Sequence, residues 1–123
     1  MLSYSVMVPE GILRLTPTGP LTEDDFKGVS ALVDAYLSTH TKLHGVLIHA
    51  KSFPGWENFG AFTAHMHFVH DHHKLVERVA LSTDSHFAVI AEALGKHFIA
   101  AEFRHFPYVG EELALDWLES EST

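Results

Sequence analysis

Cysteine is absent from this chain of 123 residues, and its absence excludes disulfide bonds, thiolate nucleophiles and cysteine-based zinc sites. Long apolar runs are missing as well, since none approaches the ~20 residues that a membrane-spanning helix needs. The N-terminus has no basic segment of the kind that begins a signal peptide, and it reaches the acidic Glu10 early. These absences predict a soluble, cytoplasmic protein without membrane insertion.

Positive charge is scarce too, with 8 lysines and arginines against 16 aspartates and glutamates and a formal net charge of −8 when the histidines are neutral. This balance argues against nucleic acids and anionic membranes as partners, because both attract positive surfaces. The eleven histidines make the surface charge sensitive to pH near about 6.5. Hydrophobic residues make up 46% of the chain, which is typical of a globular protein, and the length predicts one domain over residues 1–123.

The first third of the chain has the pattern of a hairpin followed by a helix. Apolar residues alternate with polar ones around the short turn Pro9-Glu10-Gly11, which predicts two strands at about Leu2 to Val8 and Ile12 to Thr18. Thr22 can then cap a helix whose first turn holds three acids. The buried stripe of this helix is predicted to be Phe26, Val29, Leu32, Val33, Tyr36 and Leu37.

The later segments alternate between strands and helices. Gly45-Val46-Leu47-Ile48 lacks polar alternation, which indicates a central strand buried on both faces of a parallel sheet. The remaining elements are predicted as a helix over about Glu57 to His70, a strand over about Val76 to Ser82, and a helix capped by Asp84. A last strand over Ile99 to Arg104, stopped by Pro107, and a terminal helix over Gly110 to Leu118 follow. The order ββαβαβαβα predicts an α/β fold with an N-terminal hairpin and a mixed sheet that is parallel in its centre.

Several short segments in this order resemble a known family. They are the acidic helix start after the hairpin, the hydrophobic strand ending at Ile48, the Gly55-Trp56 step into an aromatic helix, the strand Val76 to Leu81 followed by Asp84, and Phe103-Arg104-His105-Phe106-Pro107 before Ala114-Leu115-Asp116-Trp117-Leu118. Together they make the chain similar, over nearly its whole length, to the SpoIIAA-like family of the STAS superfold, which is also grouped with CRAL-TRIO-like domains.

The resemblance implies the fold more directly than the function, because such domains largely lack an assigned activity. Anti-sigma-factor antagonists of the superfold carry a phosphorylatable serine in an Asp-Ser-Ser-Gly-like step after the central strand. Here that stretch is Ala50-Lys51-Ser52-Phe53-Pro54-Gly55-Trp56. The motif around Ser52 is missing, so we predict no phosphorylation switch at this residue.

A histidine cluster, His65, His67, His70, His72 and His73, invites a metal-binding interpretation. Paired ligands on one helix face are best placed four residues apart, and these histidines do not have that spacing. His67 and His70 are three residues apart, but no carboxylate is well placed beside them. We predict solvated or helix-terminal histidines and no metal site.

Aromatic residues are concentrated after the central strand. The simplest interpretation of Phe59, Phe62, Met66 and Val69 is a helix face that packs on the sheet. Phe53 and Trp56 lie instead in a Pro-Gly loop at the carboxyl end of a central parallel strand, where open α/β sheets place their ligands. We therefore name Phe53, Trp56 and Phe59 as the candidate surface for a ligand or a partner.

No catalytic set emerges from the remaining polar residues, and we predict that the protein is not an enzyme. Ser82 and Asp84 lie at a strand end, but helix capping accounts for Asp84, and an activated serine needs a base. His49 follows the buried strand and is interpreted as a hydrogen-bonded histidine in the core or at its rim. No nucleotide-binding glycine motif is present, so no cofactor is predicted.

The leading hypothesis is a noncatalytic regulatory or interaction domain that binds a protein partner or a second copy of itself. One alternative is a carrier or sensor of a small apolar ligand, such as a lipid or a metabolite, suggested by the CRAL-TRIO-like grouping and by the aromatic residues after the central strand. A weaker alternative is histidine-based metal binding.

Overall fold

A five-stranded mixed sheet forms the centre of the protein, whose computed structural model describes residues 1–8, 10–84 and 100–120. The strands lie side by side in chain order. They are β1 (Leu2–Met7), β2 (Ile12–Pro17), β3 (Leu43–His49), β4 (Val76–Ser82) and β5 (Glu102–Phe106). The described helices are α1 (Glu23–Leu37), α2 (Phe59–His72) and α3 (Glu111–Glu119). The α/β class, the N-terminal hairpin and the parallel centre are thus confirmed.

The strand pairing changes direction once, between the hairpin and the rest of the sheet. β1 and β2 are antiparallel, and Gly11 in the turn has a φ of 72° that suits glycine. β2, β3, β4 and β5 are parallel to one another, and β3 lies in the middle of the sheet. Leu47 is fully buried and Val46 nearly so, as expected of a strand covered on both faces.

Helix α1 starts where the sequence predicts. The hydroxyl of Thr22 accepts a hydrogen bond from the backbone N–H of Asp25 at 3.1 Å, and the Thr22 N–H donates to the Asp25 carboxylate at 2.9 Å. This reciprocal pair satisfies donors that the first helical turn leaves free. The helix then buries Phe26, Val29 and Val33, and Val29 and Val33 belong to the larger hydrophobic core on one face of the sheet.

Helix α3 covers the opposite face of the sheet. Its buried residues Ala114 and Leu118 form a second core with Ile12, Leu47 and Phe106. Because side chains alternate between the two faces of a strand, Val46 joins the core under α1 and its neighbour Leu47 the core under α3.

The end of α3 is held by two features of the central strands. Gly45 lies directly beneath Leu118, and a methyl group at Gly45 would come within 2.8 Å of a Leu118 methyl carbon. Arg78, paired with Gly45 across β3 and β4, is buried and donates to the carbonyls of Trp117 at 2.6 Å and Ser120 at 3.0 Å. A cation at a helix C-terminus also complements the helix dipole.

Several predicted boundaries are wrong by a few residues. Helix α2 begins at Phe59 rather than near Glu57, because the Asn58 side chain caps it by accepting from the Ala61 N–H at 2.9 Å. The last strand runs over Glu102–Phe106, so Ala101, which the sequence pattern places in the strand, precedes it. The strand does end before Pro107. The helix predicted after Asp84 and Ile99, the first residue predicted for the last strand, lie outside the described residues.

Candidate functional site

The loop between β3 and α2 is fastened to the neighbouring loops at the carboxyl edge of the sheet. The Ala50 N–H donates to the Ser82 carbonyl at 3.1 Å, and the Asp84 N–H donates to the Lys51 carbonyl at 3.2 Å. The Thr83 hydroxyl donates to the same Lys51 carbonyl at 3.2 Å. The start of the loop is therefore fixed by backbone contacts with the segment that follows β4.

The second half of the loop is fixed by Leu21, which precedes the capping residue of α1. The Leu21 N–H donates to the Gly55 carbonyl at 2.8 Å, and the Glu57 N–H donates to the Leu21 carbonyl at 2.8 Å, so Leu21 and Trp56 form a short parallel bridge. Gly55 has a φ of 85°, a conformation that favours glycine. Trp56 is thus presented from a backbone that is held on both sides.

The three candidate residues lie together, and we call Phe53, Trp56 and Phe59 the aromatic surface. Their exposed fractions are 41%, 36% and 79%. The Phe53 and Trp56 rings meet edge to face with centroids 4.8 Å apart. Phe62, which is partly buried, contacts both Trp56 at 4.8 Å and Phe59 at 5.9 Å. The helical spacing of Phe62 predicts only a core role, but its side chain joins the rings into one continuous patch.

His65 supports the patch from below. The Trp56 indole N–H donates to His65 Nδ1 at 3.1 Å, and the His65 ring stacks on Phe26 of α1 at 4.7 Å. Burial lowers the pKa of His65 from 6.5 to about 4, because an apolar environment disfavours the charged imidazolium. The neutral ring is also the form that can accept the Trp56 hydrogen bond at Nδ1. Nothing in the local sequence indicates this role.

The expectation that Phe59 and Met66 pack on the sheet is wrong. Phe59 is 79% exposed and Met66 is 41% exposed. Helix α2 packs chiefly on α1, and Phe68 is the α2 residue that reaches the core beneath α1. A helix that rests on another helix buries a narrower strip than one that lies flat on a sheet, so part of the apolar face stays in solvent.

The histidines of α2 have separate environments. His72 is the last residue of α2, as the helix-terminal prediction requires, but it is buried rather than solvated. It contacts the Phe68 carbonyl at 2.8 Å and the Asp34 carboxylate of α1 at 3.0 Å. His70 is exposed beside Asp71. Among the residues that the structure describes, no three histidine or acidic side chains are arranged to hold a metal ion. Packing against α1 accounts for the positions of His65, which stacks on Phe26, and of His72, which contacts Asp34.

A polar network lies on the other face of the same sheet edge. His49 contacts the Tyr108 carbonyl through Nε2 at 3.1 Å, stacks on the Tyr108 ring at 4.3 Å, and lies 3.6 Å from the Glu111 carboxylate. Glu111 also pairs with Arg14 of β2. This confirms His49 as a hydrogen-bonded histidine at the rim of the core, and the network ties the start of α3 to the sheet.

Ser82 and Asp84 stabilise the same edge of the sheet through hydrogen bonds to the segment before α3. The Ser82 hydroxyl is fully buried and donates to the carbonyls of Pro107 at 2.9 Å and Tyr108 at 3.3 Å. The Asp84 carboxylate accepts from the Tyr108 N–H at 3.0 Å. A serine activated for nucleophilic attack donates to a base instead, so the Ser82 contacts are those of a structural hydroxyl.

Comparison with known proteins agrees with this architecture. The SpoIIAA-like family model matches residues 12–119, which is most of the chain. The chain belongs to the SpoIIAA-like family. The matched region begins at β2 and ends with α3, so it includes both sheet faces and the aromatic surface of this SpoIIAA-like domain.

A solved structure similar to this SpoIIAA-like chain is that of an uncharacterized protein from the DUF3478 family with a SpoIIAA-like fold, from Shewanella loihica PV-4. The two are 21% identical, with a TM-score of 0.73 over 96% of this chain and 92% of that chain. At this identity the likeness shows the shared fold. A search of curated proteins found no match. In the described part of the chain no helix has the length and hydrophobicity to span a membrane.

Proposed function

We propose that this SpoIIAA-like domain is a noncatalytic interaction module that binds a protein partner through the aromatic surface. The observation that carries the proposal is the exposure of three large aromatic side chains, Phe53, Trp56 and Phe59, in one patch at the carboxyl edge of the sheet. Exposed aromatic clusters are characteristic of protein interfaces, where they supply much of the binding energy.

The rigidity of the patch supports this assignment. Leu21 pairs with the backbone on both sides of Trp56, and His65 accepts the indole hydrogen bond. A surface that is already ordered loses less conformational entropy on binding, so more of the contact energy appears as affinity. Simple core packing does not require Trp56 to be fixed while more than a third of it faces solvent.

The apolar-ligand alternative has less support among the described residues. A cleft at the opposite edge of the sheet is lined by Glu10, His44 and Glu119, and two carboxylates with an imidazole are poor neighbours for an apolar molecule. Native mass spectrometry of protein purified without detergent tests this alternative directly, and a stoichiometric lipid or metabolite would favour it over a protein partner.

The test of the interaction module uses two matched double variants. Phe53→Ser with Trp56→Ser removes two of the three side chains of the aromatic surface. Val109→Ser with Leu113→Ser removes two apolar residues that are 89% and 63% exposed near α3. A photoreactive residue at position 59 captures the partner, which is then identified, purified and titrated against each variant by calorimetry.

We expect the aromatic variant to bind the purified partner at least about 30-fold more weakly, as for the loss of interface hot spots. The Val109 and Leu113 variant should bind like the parent. The proposal is wrong if the aromatic variant stays folded and binds with the parent's affinity, or if the two double variants lose affinity equally.

A further inference from the structure

Strand β1 forms one border of the sheet, and its outer side has no neighbouring strand in the described part of the chain. Exposed sheet borders usually carry charged side chains, prolines or bulges that prevent pairing with another strand. β1 has the sequence Leu-Ser-Tyr-Ser-Val-Met and contains none of these. No charged side chain occurs among the first nine residues of the chain.

Hydrogen bonds from the two residues that flank β2 show which backbone groups of β1 face outward. The Thr18 N–H donates to the Met1 carbonyl at 3.0 Å, and the Gly11 N–H donates to the Met7 carbonyl at 2.8 Å. In an antiparallel pair the direction of the backbone groups alternates from residue to residue. The N–H and C=O groups of Leu2, Tyr4 and Val6 therefore point away from β2.

We propose that these outward groups pair with β1 of a second copy of this chain, in an antiparallel arrangement whose two-fold axis passes beside Tyr4. The two Tyr4 residues then exchange both backbone hydrogen bonds, and Leu2 of each copy does the same with Val6 of the partner subunit. The two sheets join into one sheet of ten strands, a symmetric form of strand addition.

The side chains of β1 are self-complementary in this register. Leu2 and Val6 lie on the face covered by α1, so apolar residues meet apolar residues across the axis. Ser3 and Ser5 are exposed and lie on the other face. There Ser3 of each copy lies opposite Ser5 of the partner subunit. Hydroxyl and apolar cross-strand pairs both stabilise antiparallel sheets. The Tyr4 ring leans on α1 at Gly28, so it leaves the backbone edge accessible.

Charge favours a second copy at this edge. Two chains that each carry −8 repel one another, and the repulsion is weakest where the contact contains no charged side chain. The antiparallel register brings no like charges of β1 together. Because a contact about one strand wide buries less than the ~1,600 Å² of a standard interface, we expect a dimer of micromolar affinity.

The test is a charge-pair exchange at Ser3 and Ser5, with molar mass measured by sedimentation equilibrium over a range of concentrations. The parent should rise from 13.7 kDa towards twice that mass. S3K/S5K places like charges opposite each other and should remain monomeric, even though it lowers the net negative charge. S3K/S5E places opposite charges together in the same register and should again dimerise.

Amide exchange gives a second readout that needs no variant. The N–H groups of Leu2, Tyr4 and Val6 should exchange slowly in concentrated parent protein and rapidly after dilution. Phe53→Ser with Trp56→Ser should dimerise like the parent, so the failure of the interaction module and the failure of this dimer are distinguishable.

A monomeric parent at every soluble concentration, or rapid exchange at Tyr4 throughout, would overturn the dimer. Equal behaviour of S3K/S5K and S3K/S5E would also overturn it, because the register requires them to differ.

Discussion

Trp56 and His65, nine residues apart in the chain, form a hydrogen bond of 3.1 Å in which the indole is the donor and Nδ1 the acceptor. The bond connects the loop after the central strand to the middle of α2, and Phe26 stacks against the other side of the imidazole. The position of the Trp56 side chain in the aromatic surface therefore depends on the protonation state of the histidine beneath it.

The first prediction concerns this protonation state and acid stability. The unfolded chain binds a proton at His65 near pH 6.5, and the folded chain binds it only near about 4. In that window the unfolded state holds more protons, so the free energy of unfolding must fall as the pH falls. We expect proton binding at His65 to lower the free energy of unfolding by about 2 kcal/mol across this window. This is less than the whole pKa shift would give, because the ring is partly exposed and solvent screens it.

The measurement is urea unfolding at several pH values for the parent and for His65→Gln. Glutamine can still accept the Trp56 hydrogen bond but does not titrate, so its stability should depend less on pH between 6.5 and 4. Trp56 fluorescence, read in a Trp117→Phe background, should change on acidification only when His65 is present. Identical pH dependence of the two proteins would contradict the prediction.

The second prediction concerns Arg78, which is 7% exposed and donates to the Trp117 carbonyl at 2.6 Å. Arg78→Ala should lower the free energy of unfolding by about 3 kcal/mol, because the partly buried carbonyls at the end of α3 lose their charged donor. Arg104→Ala is the matched control, since Arg104 is exposed and lies 5.9 Å from the same Trp117 ring.

Loss of the exposed cation–π contact of Arg104 should cost less than about 1 kcal/mol. Urea unfolding of the two variants at one pH measures the difference. Equal costs for Arg78→Ala and Arg104→Ala would show that Arg78 does not hold the end of α3.

The third prediction concerns the contact between Gly45 and Leu118. A methyl group at Gly45 would lie 2.8 Å from a Leu118 methyl carbon and 3.3 Å from its Cβ. Gly45→Ala should therefore displace α3 and destabilise the fold by about 1 to 3 kcal/mol. Gly19→Ala is the control, because its nearest neighbour would be at an ordinary 3.6 Å.

A double-mutant cycle isolates this contact. Leu118→Ala alone should cost about 2 to 5 kcal/mol, but it also frees the space above Gly45. Gly45→Ala should then cost less in the Leu118→Ala background than in the parent. Additive costs in thermal or urea unfolding would mean that the two residues do not compete for the same space.

Residues close together in the chain account for what could be predicted from sequence. The capping pair of Thr22 and Asp25 is local, so the start of α1 could be predicted and is confirmed. The unbroken apolar run around Val46 and Leu47 indicates a strand that is buried on both faces wherever it lies. The position of the loop containing Phe53 and Trp56 follows from that strand, because a parallel sheet places such loops at its carboxyl edge.

What the amino-acid sequence determined by itself was the order and kind of most elements, since capping, turn chemistry and apolar periodicity act over a few residues. Only the tertiary structure decided that α2 rests on α1, leaving Phe59 in solvent, and that His65 and His72 are enclosed between two helices. The physical reason is that periodicity shows which face of a helix is apolar but not which surface covers it. Burial of a particular side chain depends on contacts between residues far apart in the chain.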